Sequence, residues 1–203
     1  MDNINCIYYI NLEHRTDRKE HILKEFERMN IPNDKIIRFN AIKHEKGYIG
    51  CGKSHIEILK DAYEKGYDHI IIFEDDFKFV ATSEYFKNGL IHLFRSVPEY
   101  NICLLGFNMV KKVKYDEYLD EVYDAQTTSG YIISKKYIPI LIKSFMESVS
   151  FLENGAPQWP YSIDIWWKKL QGSKKGWYSF NQRIGIQMES YSDIEKKVTN
   201  YNC

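Results

Sequence analysis

The sequence predicts an α/β fold built on a mostly parallel central sheet flanked by helices. Two observations carry that prediction. Short apolar, β-branched runs (Cys6–Ile10, Ile70–Phe73, Tyr131–Ser134) alternate with segments whose apolar residues recur at helical spacing. The runs are nearly continuous rather than alternating, as strands covered on both faces require. The run Ile70–Phe73 ends abruptly in three consecutive carboxylates, Glu74, Asp75 and Asp76.

Taken in order, Cys6 to Ile10 is aromatic and β-branched, bounded by Asn residues, and predicts a buried first strand. Thr16 to Met29 places Ile22, Leu23, Phe26 and Met29 on one helical face, with Pro32 closing the segment. Ile36 to Phe39 predicts a second strand. Ser54 to Tyr63 is helical by the spacing of Ile56, Ile58, Leu59 and Ala62, with Gly66 as its C-terminal cap. Ile70 to Phe73 is a strand, Glu84 to Phe94 a helix, and Ile102 to Leu105 and Tyr131 to Ser134 are strands. Tyr137 to Val149 and Asp164 to Leu170 complete the helices. Lys111 to Tyr123 is charged without a clear period and predicts a surface hairpin or a mobile loop. No repeat or linker interrupts residues 1–203, so one domain is expected.

Composition excludes several classes. Lys+Arg and Asp+Glu both total 28, so a nucleic-acid partner held by bulk positive charge is not expected. Apolar residues make up 44% of the chain, yet no run approaches the roughly 20 residues of a membrane span. The N-terminus lacks a basic, then apolar, secretory pattern. Cys6, Cys51, Cys103 and Cys203 form no CxxC pair, which favours a reducing, cytoplasmic compartment over a disulfide framework.

The acidic triplet needs an explanation. Two unit charges about 4 Å apart repel by roughly 4 kcal/mol at an effective dielectric near 20. In an extended chain Glu74 and Asp76 share one face and Asp75 takes the other. Ligands in open α/β sheets bind outside the C-terminal ends of the strands, and carboxylates there suit Mn²⁺ or Mg²⁺. An acidic loop in which Asp76 merely caps a helix is the plainer alternative. Upstream, GYIGCGKSH (Gly47–His55) leads into a helix: the glycines allow close backbone approach, Ser54 is a candidate cap, and Lys53 adds charge to an anion-binding helix start. An ordinary glycine-rich turn fits as well. Asn11, Arg15 and Arg18 follow the first strand, either as phosphate ligands or as an ion-paired turn.

Six stretches in order, YYINLEHRTDR, GYIGCGKSHIEIL, HIIIFEDD, TTSGYIISKKYIPILI, YSIDIWWKKL and QMESYSDI, resemble glycosyltransferase family 25. That family includes bacterial lipooligosaccharide galactosyltransferases and collagen hydroxylysine galactosyltransferases. The resemblance implies a GT-A fold, a UDP-sugar donor (galactose, glucose or a related hexose) and a divalent metal, Mn²⁺ first and Mg²⁺ second. It implies that Asp76 ligates the metal and that Glu74 and Asp75 contact the donor. Asn11 and Leu12 would lie near the base, and Arg15, Arg18, Lys53, Ser54 and His55 near the phosphates. Of Gln187, Ser192 and Asp193 near the C-terminus, Asp193 is taken as the further metal ligand. The His that several GT-A enzymes carry in this region is absent.

Family members invert the anomeric centre, so the acceptor hydroxyl needs a carboxylate base. Asp164 is the candidate, at a helix start whose dipole would keep it ionised; a plain helix cap is the alternative. Trp159, Trp166 and Trp167 offer aromatic surface for a sugar, or core. His21, His44, His69 and Cys51 read as packing or surface. The acceptor expected is a glycan, a lipid-linked glycan or a protein hydroxyl. A nucleotide-sugar-binding protein that has lost turnover is the second reading.

Overall fold

The computed structural model describes the backbone of residues 1–192 and 197–199 and the side chains of residues 1–189. An eight-stranded sheet forms the centre, from β1 (Cys6–Asn11), β2 (Ile36–Asn40), β3 (His69–Glu74), β5 (Ile102–Leu104), β6 (Asn108–Lys114), β7 (Leu119–Gln126), β8 (Gly130–Ser134) and β9 (Trp177–Phe180). The strand order is β2-β1-β3-β8-β5-β9-β7-β6. Six of these strands run one way, and only β7 and β8 are reversed. A short pair, β4 (Phe77–Phe79) with β10 (Gly185–Gln187), lies beside it.

Side-chain alternation divides the core into two layers. Ile7, Tyr9, Ile71 and Phe73 pack under α1 (Thr16–Arg28) and α3 (Ser83–Ser96). Tyr8, Ile10, Ile70 and Ile72 face the other way, under α2 (Gly47–Glu64) and α4 (Ile138–Glu153). Both faces of β1 and β3 are therefore covered, which is why those strands read as unbroken apolar runs. After α4 come the single turns α5 (Gln158–Tyr161) and α6 (Ile163–Trp166), then a 3-10 turn over Trp167–Leu170.

The start of one helix differs from the sequence expectation. The helix expected from Ser54 begins at Gly47, so the glycine-rich stretch is its first two turns and Ser54 is interior, not a cap. The glycines serve packing. A Cβ on Gly50 would lie 2.3 Å from the Ile42 carbonyl oxygen, and one on Gly52 would lie 2.7 Å from Val149 Cγ2. Each interior glycine costs a helix roughly 1 kcal/mol relative to alanine, and here close approach offsets that cost. Lys111–Tyr123 belongs to the β6–β7 hairpin, and β7 joins the main sheet through β9. Strands β4, β9 and β10 were not foreseen; each has three or four residues, too few for a period to register. No helix among the described residues is long and apolar enough to cross a membrane.

Candidate active site

Strands β1 and β3 are adjacent and parallel, with Ile10 opposite Glu74, so Asn11, Leu12 and the acidic triplet emerge at one edge of the sheet. The segment after β2, residues 41–45, and the first turns of α2 close the other side. Between them lies a cleft of about 380 Å³, lined by Leu12, His14, Arg18, residues 41–45, Gly47, Gly50, Cys51, Ser54, Glu74, Asp75, Asp76 and Gln187, with Ile10 at its floor.

The strand ends at Glu74 and the chain turns over Asp75 and Asp76. The expected alternation of the three carboxylates therefore fails: Asp75 and Asp76 converge on one cation, and Glu74 goes elsewhere. Arg18 Nη1 sits 3.1 Å from Asp75 Oδ1 and 3.1 Å from Asp76 Oδ2. Asn11 Nδ2 donates to Asp75 Oδ2 at 2.7 Å, and Gln187 Nε2 donates to Asp76 Oδ2 at 3.2 Å. The repulsion within the triplet is thus countered by one guanidinium and two amides. Asp76 is 3% exposed, and its Oδ1 is buried with no hydrogen-bond partner among the described residues. Burial, reinforced by the charges of Glu74 and Asp75, pushes its carboxyl up to about 7 despite Arg18. Asp75 is raised too, chiefly by burial.

Glu74 sits in a different environment. Its Oε1 accepts the Thr128 hydroxyl at 2.8 Å, lies 3.4 Å from His55 Nε2 and 3.9 Å from Cys51 Sγ. Burial opposes its ionisation, but the His55 and Thr128 contacts and the Arg18 charge outweigh burial and hold it below the usual range. His55, fully buried, has its Nδ1 3.0 Å from the Tyr131 hydroxyl. Thr127 adopts φ +82°, a left-handed conformation rare for a β-branched residue. Its amide contributes, with those of Asp164 and Ile165, to favouring the Asp164 carboxylate. Burial and the Glu74 charge win nonetheless and push Asp164 up to about 6. The helix start was expected to keep Asp164 ionised; desolvation is the larger effect. Neighbouring carboxylates with pKa values driven apart are the usual signature of acid–base division of labour.

The other expected residues divide. Leu12 and Arg18 face the cleft, as do Glu74, Asp75 and Asp76. Asn11 does not reach a base: its amide is committed to Asp75 and to the Arg15 carbonyl, and its Oδ1 accepts from Arg38. Arg15 forms a two-pronged pair with Asp17. Lys53 points at α4, where it pairs with Glu153 at 2.5 Å. Ser54 Oγ donates to the Gly50 carbonyl at 2.7 Å and accepts the Ile42 amide at 2.9 Å, which pins the cleft wall to α2. His55 lies beneath Glu74, out of a donor's reach. These shifts follow from the earlier start of α2, which carries residues 53–55 one to two turns into the helix. Asp193 lies outside the described residues. Trp167 is fully buried core, Trp166 stacks on Tyr161, and Trp159 is 72% exposed. His44 and Cys51, read as packing or surface, line the cleft. His21 bonds the Phe77 carbonyl and His69 the Tyr100 hydroxyl, both packing roles. Thr127 and Thr128 gave no sequence signal of their own, because a backbone angle and a hydroxyl contact leave no residue pattern.

This arrangement, a mixed α/β sheet with acidic residues clustered at a strand-end cleft, has the same fold as the crystal structure of mannose-1-phosphate geranyltransferase from Thermus thermophilus. The TM-score is 0.50 at 7% identity, covering 91% of this chain and 74% of that one. The model of glycosyltransferase family 25 (LPS biosynthesis protein) matches residues 45–154, more than half of the chain, and the chain belongs to that family. The matched span holds the glycine-rich helix start, the acidic triplet and Thr127–Thr128; Arg18 and Asp164 lie outside it. Two curated relatives are the Haemophilus influenzae lipooligosaccharide biosynthesis protein lic2B, 26% identical over 64% of this chain, and an Anopheles gambiae glycosyltransferase 25 family member, 23% identical over 65%. The matches span 60% and 27% of those relatives' lengths.

Proposed function

We propose that the chain is a GT-A-type glycosyltransferase unit that moves a hexose from a UDP-sugar to a hydroxyl of a glycan, lipid-linked glycan or protein, with inversion at the anomeric carbon. One observation carries this reading: Asp76 presents a buried oxygen, unpartnered among the described residues, beside Asp75 in a cleft that also holds Arg18. That oxygen and its neighbouring carboxylate are hard donors that fit a divalent cation, Mn²⁺ or Mg²⁺. Asp76 and Asp75 would hold it, with Gln187 alongside. When bound, the cation neutralises charge on the departing diphosphate.

The chain's own groups account for the remaining steps. Leu12 and residues 41–45 form the wall against which a nucleoside packs, and the α2 N-terminus at Gly47 offers free amides to phosphate. Arg18 exchanges one carboxylate for the diphosphate as charge develops there. Asp164 takes the proton from the acceptor hydroxyl while its oxygen bonds to the anomeric carbon and the carbon–phosphate oxygen bond breaks. Glu74, held ionised by His55 and Thr128, orients groups around the sugar.

The test is a transfer assay over a panel of UDP-sugars with Mn²⁺ and a lipooligosaccharide acceptor, alongside donor hydrolysis. Sugar transfer or donor hydrolysis that needs Mn²⁺ is expected. Donor binding without either activity would favour the binding-protein reading.

A further inference from the structure

Beneath the cleft, Cys51, His55 and Glu74 bring one sulfur, one imidazole nitrogen and one carboxylate oxygen within 4.8 Å of one another. Cys51 and His55 are one helical turn apart on α2 and so share a face; Glu74 meets them from the end of β3. Four-coordinate Zn²⁺, with Zn–S near 2.3 Å and Zn–N and Zn–O near 2.0–2.1 Å, requires ligand atoms roughly 3.3–3.6 Å apart. The His55–Glu74 distance of 3.4 Å already fits and the Cys51–Glu74 distance is 3.9 Å; the Cys51–His55 edge lies within 4.8 Å, so closing the set asks the Cys51 sulfur to move inward by up to about 1 Å.

The surroundings are those of a supported site. Ligating imidazoles usually hydrogen-bond through their second nitrogen, and His55 Nδ1 has the Tyr131 hydroxyl at 3.0 Å. That hydroxyl donates or accepts, so His55 can turn its Nε2 lone pair toward a metal without leaving a buried nitrogen unpaired. The Thr128 hydroxyl supports Glu74 in the same way. Cys51 and Glu74 both border the cleft, which leaves a fourth position facing it. The field favours a dication as well, because the Glu74, Asp164 and Asp76 carboxylates all lie close enough to act on Cys51.

We infer that Cys51, His55 and Glu74 form a binding site for a thiophilic divalent cation of the Zn²⁺ class, distinct from the all-oxygen position at Asp76. Binding replaces the Cys51 thiol proton, which leaves to solvent, by a sulfur–metal bond. Thiolate and imidazole select against Mg²⁺ and Mn²⁺, so the two positions sort cations by softness. The assignment does not depend on the transfer reaction.

The full chain, reduced and metal-free, is titrated with Co²⁺ and followed by absorption. One equivalent is expected to give a thiolate-to-cobalt charge-transfer band that Zn²⁺ abolishes and Mg²⁺ leaves intact. Cys51→Ser should lose the band, as should His55→Gln or, if that variant does not fold, Glu74→Gln. Asp76→Asn should keep it, and Tyr131→Phe should weaken Zn²⁺ binding about ten- to a hundredfold. Circular dichroism establishes that each variant is folded. Absence of the band at stoichiometric cobalt overturns the site. So does a band that survives in Cys51→Ser, which would belong to another cysteine, or one that vanishes in Asp76→Asn.

Discussion

In the proposed mechanism Asp164 is the base that receives the acceptor's proton. Its carboxyl, raised to about 6, must be ionised to accept a proton, so transfer should fall as pH drops through about 6. Asp164→Asn keeps an oxygen for the surrounding amides and should retain donor binding while transfer falls about 10²–10⁴-fold. Separate donor-binding and transfer measurements check this; transfer at the parent rate would place the base elsewhere. Arg18 supports a second prediction. It is the cation between Asp75 and Asp76, and all three side chains are largely buried. Arg18→Ala strips the carboxylates of that counter-charge and should cost about 3–5 kcal/mol, the usual penalty for half a buried pair. Mn²⁺ should then raise the melting temperature of the variant more than that of the parent, because the cation supplies what the guanidinium did. Equal shifts in both proteins would separate Arg18 from the metal position.

The elements explain why the triplet holds its shape. Phe77 follows it directly and is seated against two glycines: a Cβ at Gly185 would come within 2.1 Å of the ring, and one at Gly130 within 2.6 Å. Gly185→Ala should therefore push Phe77 and, with it, Asp76 out of place. A loss of stability of about 1–3 kcal/mol from overpacking is expected, together with weakened metal-dependent donor binding. Chemical denaturation and calorimetric titration read the two effects; an unchanged variant would mean that Phe77 does not anchor the site. Lys53→Ala should change donor binding little, since Lys53 faces Glu153 on α4, and an exposed pair of this kind contributes about 0–1 kcal/mol. Here the limits of sequence reading become physical. The strands at β1, β3 and β8 were legible because burial on both faces leaves only apolar residues. The acidic triplet was legible because strand ends are where ligands bind. The start of α2 was not, because glycine carries the same signal for a loop as for a tightly packed helix. Lys53, Ser54 and His55 therefore lie inside the helix rather than at its start, with Ser54 still on the cleft wall. Asn11 was ambiguous because a polar residue at a strand end can hold a ligand or hold a carboxylate, and in the structure it holds Asp75.

Across the whole molecule, placing charge in the cleft, as at Asp76, and close to Glu74 behind it, as at Asp164, costs stability. Asp76 and Asp164 ionise near 3.8 in the unfolded chain but only near 7 and 6 when folded. Their favourable contribution is therefore full below about pH 4 and is lost as pH rises through about 6 and 7, while Glu74, shifted the other way, opposes the trend. The metal-free chain should melt higher near pH 5 than near pH 7.5, and Asp164→Asn should flatten that slope. A slope unchanged in the variant would show that Asp164 is not the buried acid described. In the proposed function the same carboxylate charges that lower the stability of the metal-free chain would attract a dication, and that dication in turn a diphosphate. The most direct measurement is calorimetric titration of UDP into the full chain, with and without Mn²⁺, for the parent and for Asp76→Asn. The account predicts binding that strengthens with Mn²⁺ in the parent and loses that dependence in the variant. UDP binding indifferent to both Mn²⁺ and Asp76 would contradict it.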